Sequence, residues 1–324
     1  MKSKLLGTWL VAAGFLAFAN AGLCEAIRVD DKLPEYKPVS GISGKLSSVG
    51  SDTLNNLMTY WAEEFKNIYP NVSVEIEGKG SSTAPPALIA GTAQLGPMSR
   101  KMKAEEVDAF EKKYGYKPRI VAVAIDALAV YVNKDNPIQS LTLQQIDSVF
   151  SSTRKRGGQP ITTWGQLGLT GEWANKPISL YGRNSASGTY GFFKEHALQN
   201  GDYKGSVKEQ PGSASVVQGV EKELGGIGYS GIGYRTSGVR PVPIVDKSGP
   251  VEATQDNAES FKYPISRYLY IYINANPSTG PDPLVKEFIR FVLSKQGQQD
   301  TAKDGYFPLP AKKAAEFLES SGAR

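Results

Sequence analysis

The strongest constraint on this chain is a hydrophobic period that keeps switching between that of a helix and that of a strand. From Ser51 to Tyr69 the apolar residues Leu54, Leu57, Met58, Trp61, Phe65 and Ile68 recur at spacings of three and four, which places them on one stripe of a helix. Pro70 and Asn71 end it. Val72, Val74 and Ile76 then alternate with polar residues, as in a strand exposed on one face. Gly78 to Thr83 form a tight Gly/Ser loop, Pro85 and Pro86 suit the first turn of a second helix, and Gly91 closes it. A short strand is expected over Gln94–Met98 and a charged amphipathic helix over Lys103–Tyr114. The β-rich run Ile120–Asn133 stops at Asn136-Pro137, and Leu141–Phe150 reads as a helix. Residues 151–176 read mostly as loop, with Trp164 as a packing anchor. Further strands are expected at Ile178–Tyr181, Val239–Val245 and Ile265–Asn274. Further helices are expected at Ser187–Gln199, Ser213–Leu224, Pro283–Ser294 and Ala311–Glu319. Such alternation predicts an α/β fold with mostly parallel sheets and flanking helices.

A chain of 324 residues is long enough for two domains, each with its own core. The two long β-rich runs, 120–133 and 261–274, are candidate crossings between two lobes. On that reading residues 27–125 and 265–324 form a discontinuous first lobe, and residues 126–264 form the second. One His and one Cys exclude a His/Cys metal cluster, an iron–sulfur site and an internal disulfide. They also leave His196 as the one possible histidine base. No metal and no cofactor are expected.

Lys2 and Lys4, the apolar stretch Leu5–Ala19 and Ala19-Asn20-Ala21 have the layout of a secretory signal peptide, residues 1–21. The other reading is a membrane anchor that is never cleaved. Cys24 follows Leu23, which is not the small residue that lipid attachment wants. Loss of Lys2 and Lys4 takes the formal charge from +5 to +3. The densest basic cluster, Arg154-Lys155-Arg156, is followed by Gly157 and Gly158 and reads as a solvated loop rather than a nucleic-acid surface.

One local design occurs three times: Gly50-Ser51-Asp52-Thr53, Gly80-Ser81-Ser82-Thr83 and Ser187-Gly188-Thr189 each open a helix. A helix start offers unpaired N–H groups and the positive end of its dipole. Glycine lets a ligand approach the backbone, and hydroxyls add uncharged donors, so together these make an anion site. Arg183, four residues before Ser187, adds a two-pronged cation. For any one of these junctions taken alone, ordinary N-capping is the favoured reading. Three together with Arg183, spread over both expected lobes, favour one shared cleft at the carboxyl ends of strands.

With these residues the chain resembles the phosphate-binding protein of bacterial phosphate ABC transporters, a two-lobed periplasmic binding protein of type II. The likeness rests on "VGSDTL", "GKGSSTAPPAL", "GPMSRKM", "DALAVYVNKDNP" and "GRNSASGTYGFF", and it runs from about Gly44 to the last helix. It implies that Arg183, Ser187, Gly188 and Thr189 hold phosphate, with Thr53, the Leu54 N–H and Ser81 from the other lobe. It also implies a monomer in the periplasm that closes its lobes over inorganic phosphate and presents it to a membrane permease. Many members of the family carry an Asp where this chain has Ser99. That Asp accepts the phosphate proton and repels sulfate. Ser99 can still accept a hydrogen bond, and a carboxylate could come instead from Asp126, the preferred candidate, or from Asp52. A purely structural Asp126 is an equal alternative, and Arg100 reads as a solvent-exposed side chain rather than an added site cation.

Gly226-Ile227-Gly228-Tyr229-Ser230-Gly231 matches a dinucleotide fingerprint, but a helix precedes it and a strand pattern follows. It is therefore read as turn and strand glycines, and His196 as a helix-surface or packing residue. Two other functions stay open. Ser99 allows a binder of sulfate or another oxyanion, and the anion cleft allows a phosphoester hydrolase, although no clustered base or metal site accompanies it.

Overall fold

The structure, a computed structural model, describes residues 26–324. The expected signal segment, residues 1–21, and Cys24 lie outside the described residues. In chain order the first part contains β1 (Gly44–Val49), α1 (Asn55–Ile68), β2 (Val72–Glu77), α2 (Ala84–Ala90), β3 (Leu95–Met98), α3 (Ala104–Tyr114) and β4 (Arg119–Ala127). The middle contains β5 (Ala129–Asn133), β6 (Leu141–Thr142), α4 (Leu143–Phe150), β7 (Ser179–Arg183), α5 (Gly188–His196), β8 (Lys208–Gln210), α6 (Ser213–Lys222), β9 (Gly226–Ser230), β10 (Val239–Pro241), β11 (Ile244–Asp246), β12 (Gly249–Val251) and α7 (Gln255–Glu259). The last part contains β13 (Ser266–Ile273), α8 (Pro283–Val292), α9 (Lys295–Lys303) and α10 (Ala311–Ser320).

Two five-stranded sheets organise the molecule, in the orders β2-β1-β3-β13-β4 and β10-β5-β9-β7-β8. Each has a parallel half, as the strand–helix alternation predicts: β1 pairs with β2 and β3, and β7 pairs with β8 and β9. Each also has an antiparallel half, so the sheets are mixed. The chain passes from the first sheet to the second at Leu128, between β4 and β5, and returns through β13. The two β-rich runs therefore mark the passages between the sheets. The glycine-rich GxGxxG segment is strand β9, preceded by α6.

The helical stripe of α1 buries Leu57, Met58, Trp61 and Phe65. Full burial of such side chains stabilises by about 1.5–3 kcal/mol each. Trp61 also donates its indole N–H to the carbonyl of Gly297 at 2.7 Å, which ties α1 to α9. In the second sheet Phe193 of α5 stacks on Tyr229 of β9 with ring centroids 4.0 Å apart.

Helix α9 has no counterpart in the sequence expectation, and its composition explains why. Its buried residues are Gly297, Gln298, Asp300 and Thr301, so it carries no apolar stripe. Gln298 anchors it instead. The side-chain amide donates to the carbonyls of Val123 (3.0 Å) and Val292 (2.9 Å) and accepts from the Leu309 N–H at 2.6 Å. The short edge strand β8, mostly exposed, was also not anticipated. Among the described residues no helix is long and apolar enough to cross a membrane.

Asp304, just after α9, has a buried carboxylate oxygen without a partner. Burial pushes its carboxyl up to about 7, and burial followed by the charge of Glu64 pushes Asp300 to about 6. A carboxyl whose folded-state pKa is raised stabilises the fold below its unfolded value near 4, and that contribution is lost as pH rises toward the folded value. The melting temperature is therefore expected to fall between about pH 4 and pH 7. Asp304→Asn should flatten that decline and melt above the parent at pH 8. Parallel melting curves for parent and variant across this range would overturn the assignment.

Candidate functional site

The three expected helix starts meet where the two sheets face each other. All lie beyond the carboxyl ends of parallel strands: the 52–54 turn after β1, the 81–83 turn after β2 and the start of α5 after β7. Ser99 follows β3. Side chains from both sheets converge there. Thr53 Oγ1 lies 2.8 Å from Thr189 Oγ1, and Thr189 Oγ1 lies 3.4 Å from Ser99 Oγ. Ser99 Oγ is 3.0 Å from Ser51 Oγ and 3.2 Å from Ser81 Oγ. All five hydroxyl residues are buried.

The capping alternative applies to only one of the three junctions. Ser187 caps α5, accepting the N–H groups of Thr189 and Tyr190. Ser51 makes no side-chain cap bond and points its hydroxyl at Ser99 instead. Ser81 Oγ accepts the Ser99 N–H at 3.0 Å. The Leu54 N–H is directed at the Ser51 carbonyl at 3.3 Å, and the Leu54 side chain is fully buried.

Two glycines let the halves approach. Gly80 has φ +118°, and a Cβ there would stand 2.6 Å from the Ala186 carbonyl oxygen. At Gly188 a Cβ would stand 2.2 Å from Ser81 Oγ and 2.7 Å from Ser99 Oγ. Alongside, the Ser82 N–H donates to Ala186 O at 3.1 Å.

Two arginines are buried against this cluster, each beside an aspartate. Arg183 Nη1 lies 3.2 Å from Asp52 Oδ2 and donates to Ser213 Oγ at 2.8 Å, while Nη2 donates to Pro211 O at 3.1 Å. Its Nε is buried and has no partner. Burial lowers the pKa of this guanidinium, and the charge of Asp52 works in the opposite direction. Asp52 also accepts the Ser213 N–H at 2.7 Å, and Tyr234 and Tyr306 donate to the carbonyls of Asp52 and Thr53, both at 2.9 Å. A buried guanidinium with an unused donor, beside a helix start and a set of hydroxyls, is suited to an oxyanion.

The second arginine is Arg267 on β13, which the sequence reading did not single out. Its Nη2 lies 2.7 Å from Asp126 Oδ2. Arg267 and Asp126 are direct register partners on β13 and β4. Both oxygens of Asp126 are engaged: Oδ2 by Arg267, and Oδ1 by the Ile232 N–H at 2.8 Å. The geometry thus gives Asp126 the task of anchoring Arg267 rather than standing as a free acceptor toward the hydroxyls. The one signal for Arg267 in the sequence was a single charge at the start of an otherwise apolar, tyrosine-rich strand run, Ser266–Ile273.

Other sequence candidates lie apart from the cluster. Arg100 makes a two-pronged pair with Glu106, with both contacts at 2.7 Å, and is mostly buried rather than solvent-exposed. His196 stacks on Phe192 with centroids 4.0 Å apart, and burial lowers its pKa. In the basic cluster, Arg156 Nε donates to the Ala197 carbonyl at 2.6 Å, beyond the end of α5.

Known proteins point the same way as the geometry. The PBP superfamily domain model matches residues 37–296. The chain is 58% identical to the phosphate-binding protein PstS of Pseudomonas aeruginosa, over 97% of this chain and 98% of that one. A crystal structure from Clostridium perfringens, solved with bound phosphate, is 30% identical and superposes with a TM-score of 0.69 over 82% of this chain and all of its own. An ABC-type phosphate transport receptor from Vibrio cholerae shares the fold at 22% identity, with a TM-score of 0.65 over 82% of this chain and all of its own. The chain belongs to the PBP superfamily and, within it, to the family of PstS phosphate-binding proteins.

Proposed function

We propose that this protein binds inorganic phosphate between its two lobes and delivers it to the membrane permease of an ABC transporter. The observation that carries the reading is the convergence of Thr53, Thr189, Ser99, Ser81 and Ser51 hydroxyls from both sheets beside the buried guanidinium of Arg183. Arg183, Ser187, Gly188 and Thr189 are assigned to one wall of the site, and Thr53, Leu54, Ser81 and Ser99 to the other. Lobe 1 comprises residues 27–125 and 265–324, and lobe 2 comprises residues 126–264. The protein acts as a monomer in the periplasm after export.

Binding rather than turnover fits the chemistry. His196 stacks on Phe192 instead of meeting the hydroxyls, and the nearby carboxylates Asp52 and Asp126 are each held by an arginine. Among the described residues no free base remains there to activate water. Hydroxyls and N–H groups can replace the hydration shell of an anion in a water-poor site, and hinge closure would enclose it. Asp126 is turned toward Arg267 and the Ile232 N–H, so the phosphate proton is assigned to Ser99 Oγ, which lies within reach of three other hydroxyls.

Calorimetric titration of the anion-stripped protein, without residues 1–21, is the direct test. Phosphate should bind near neutral pH, and sulfate in large excess should neither bind nor compete. Equal binding of both anions would replace phosphate by oxyanions in general. Arg183→Ala should weaken phosphate by on the order of 10- to 100-fold, the worth of a charge-assisted contact. Gly188→Ala should weaken it comparably, because its methyl group meets Ser81 and Ser99 before the lobes can meet. Unchanged affinity in either variant would remove that residue from the site.

A further inference from the structure

We propose that Arg267 is a positioning residue of the anion site: it turns the Thr189 hydroxyl into an obligate donor toward the ligand and joins the two lobes when they close. This role rests on the phosphate-binding reading above. Arg267 is 3% exposed and reaches three partners. Its Nε donates to Asp126 Oδ2 at 2.9 Å, Nη1 to the Ser99 carbonyl at 2.8 Å and Nη2 to Thr189 Oγ1 at 3.0 Å. The guanidinium also lies over the Phe192 ring, 5.3 Å from its centroid.

A guanidinium has donors only, so Thr189 Oγ1 must accept on the side facing Arg267. Its single proton is thereby directed away from Arg267, toward the side on which Thr53 Oγ1 and Ser99 Oγ lie. The ionised oxygens of phosphate offer acceptors only, and a hydroxyl held this way presents the hydrogen they need. Asp126 offsets the charge of Arg267 and is itself fixed by the Ile232 N–H. Asp126 and Arg267 sit side by side on the first sheet, while Thr189 and Ile232 come from the middle of the chain. The pair therefore ties the first sheet to the middle of the chain at two points, Asp126 to Ile232 and Arg267 to Thr189. Arg267 and Ser187 also line a groove of about 1040 Å³ between the lobes, so the guanidinium stands where solvent space meets the hydroxyl cluster.

The test must separate a ligand role from a buried ion pair that only holds the fold. Removing Arg267 alone strands the Asp126 charge, so both partners are changed together in D126N/R267Q. Phosphate titrations are run on the parent, T189V, D126N/R267Q and the triple variant, with thermal melts of each. D126N/R267Q should melt near the parent yet bind phosphate on the order of tenfold more weakly. In the T189V background the same pair of changes should add little further loss, because Arg267 acts through Thr189. Parent-like affinity in D126N/R267Q, or losses that simply multiply in the triple variant, would overturn the role. If D126N/R267Q fails to fold, R267K decides. A single ammonium cannot hold Asp126, Ser99 and Thr189 together, so affinity should again fall about tenfold, and unchanged affinity would overturn the proposal. A parent protein that takes up no phosphate would defeat the proposed function as well. Parent binding with an unaffected variant defeats the role of Arg267 alone.

Discussion

Charge burial at the seam between the two sheets is the condition on which the rest of this structure depends. Arg183 and Arg267 are almost wholly buried there. An isolated buried charge is strongly destabilising, and breaking a buried pair costs about 3–5 kcal/mol. Each arginine is therefore placed beside one carboxylate, Asp52 or Asp126, and each aspartate is pinned in turn by a backbone N–H, from Ser213 or Ile232. All four of these contacts join elements that are far apart in the chain. The same pairing leaves the seam close to neutral, so most of the donors gathered there are hydroxyls and backbone N–H groups.

That arrangement explains the residue types along the seam. Serine and threonine are small enough to let opposed helix starts come within hydrogen-bonding distance, as Thr53 and Thr189 do. Glycine is required where even a methyl group would collide, at Gly188 against Ser81 and Ser99. The tyrosines Tyr234 and Tyr306 close the base of the first helix start by holding its carbonyls. Local chain geometry, side-chain size and charge compensation thus serve one end, a seam that gathers many donors in a buried space.

Much of the fold was legible because it is encoded locally. The stripe from Leu54 to Ile68, the alternation of Val72, Val74 and Ile76, and the proline and glycine stops each specify an element without reference to the rest of the chain. The two β-rich runs carried the passages between sheets for the same reason. Helix α9 escaped because its buried face is polar and is held by Gln298, whose partners Val123 and Leu309 lie elsewhere in the sequence. The antiparallel halves of the sheets escaped because strand direction follows from the path of the chain, not from residue pattern.

The sequence by itself determined the alternating α/β elements, the three hydroxyl-rich helix starts and the arginine four residues before Ser187. Each of these is a short-range pattern with a short-range cause. Only the tertiary structure decided how the charges pair. Asp126 and Arg267 are 141 residues apart and become neighbours through the register of β4 and β13. That register engages both oxygens of Asp126 and brings an arginine from a late strand beneath Thr189. Burial makes such pairing obligatory, but which partners meet is set by strand order, and strand order is a property of the whole chain.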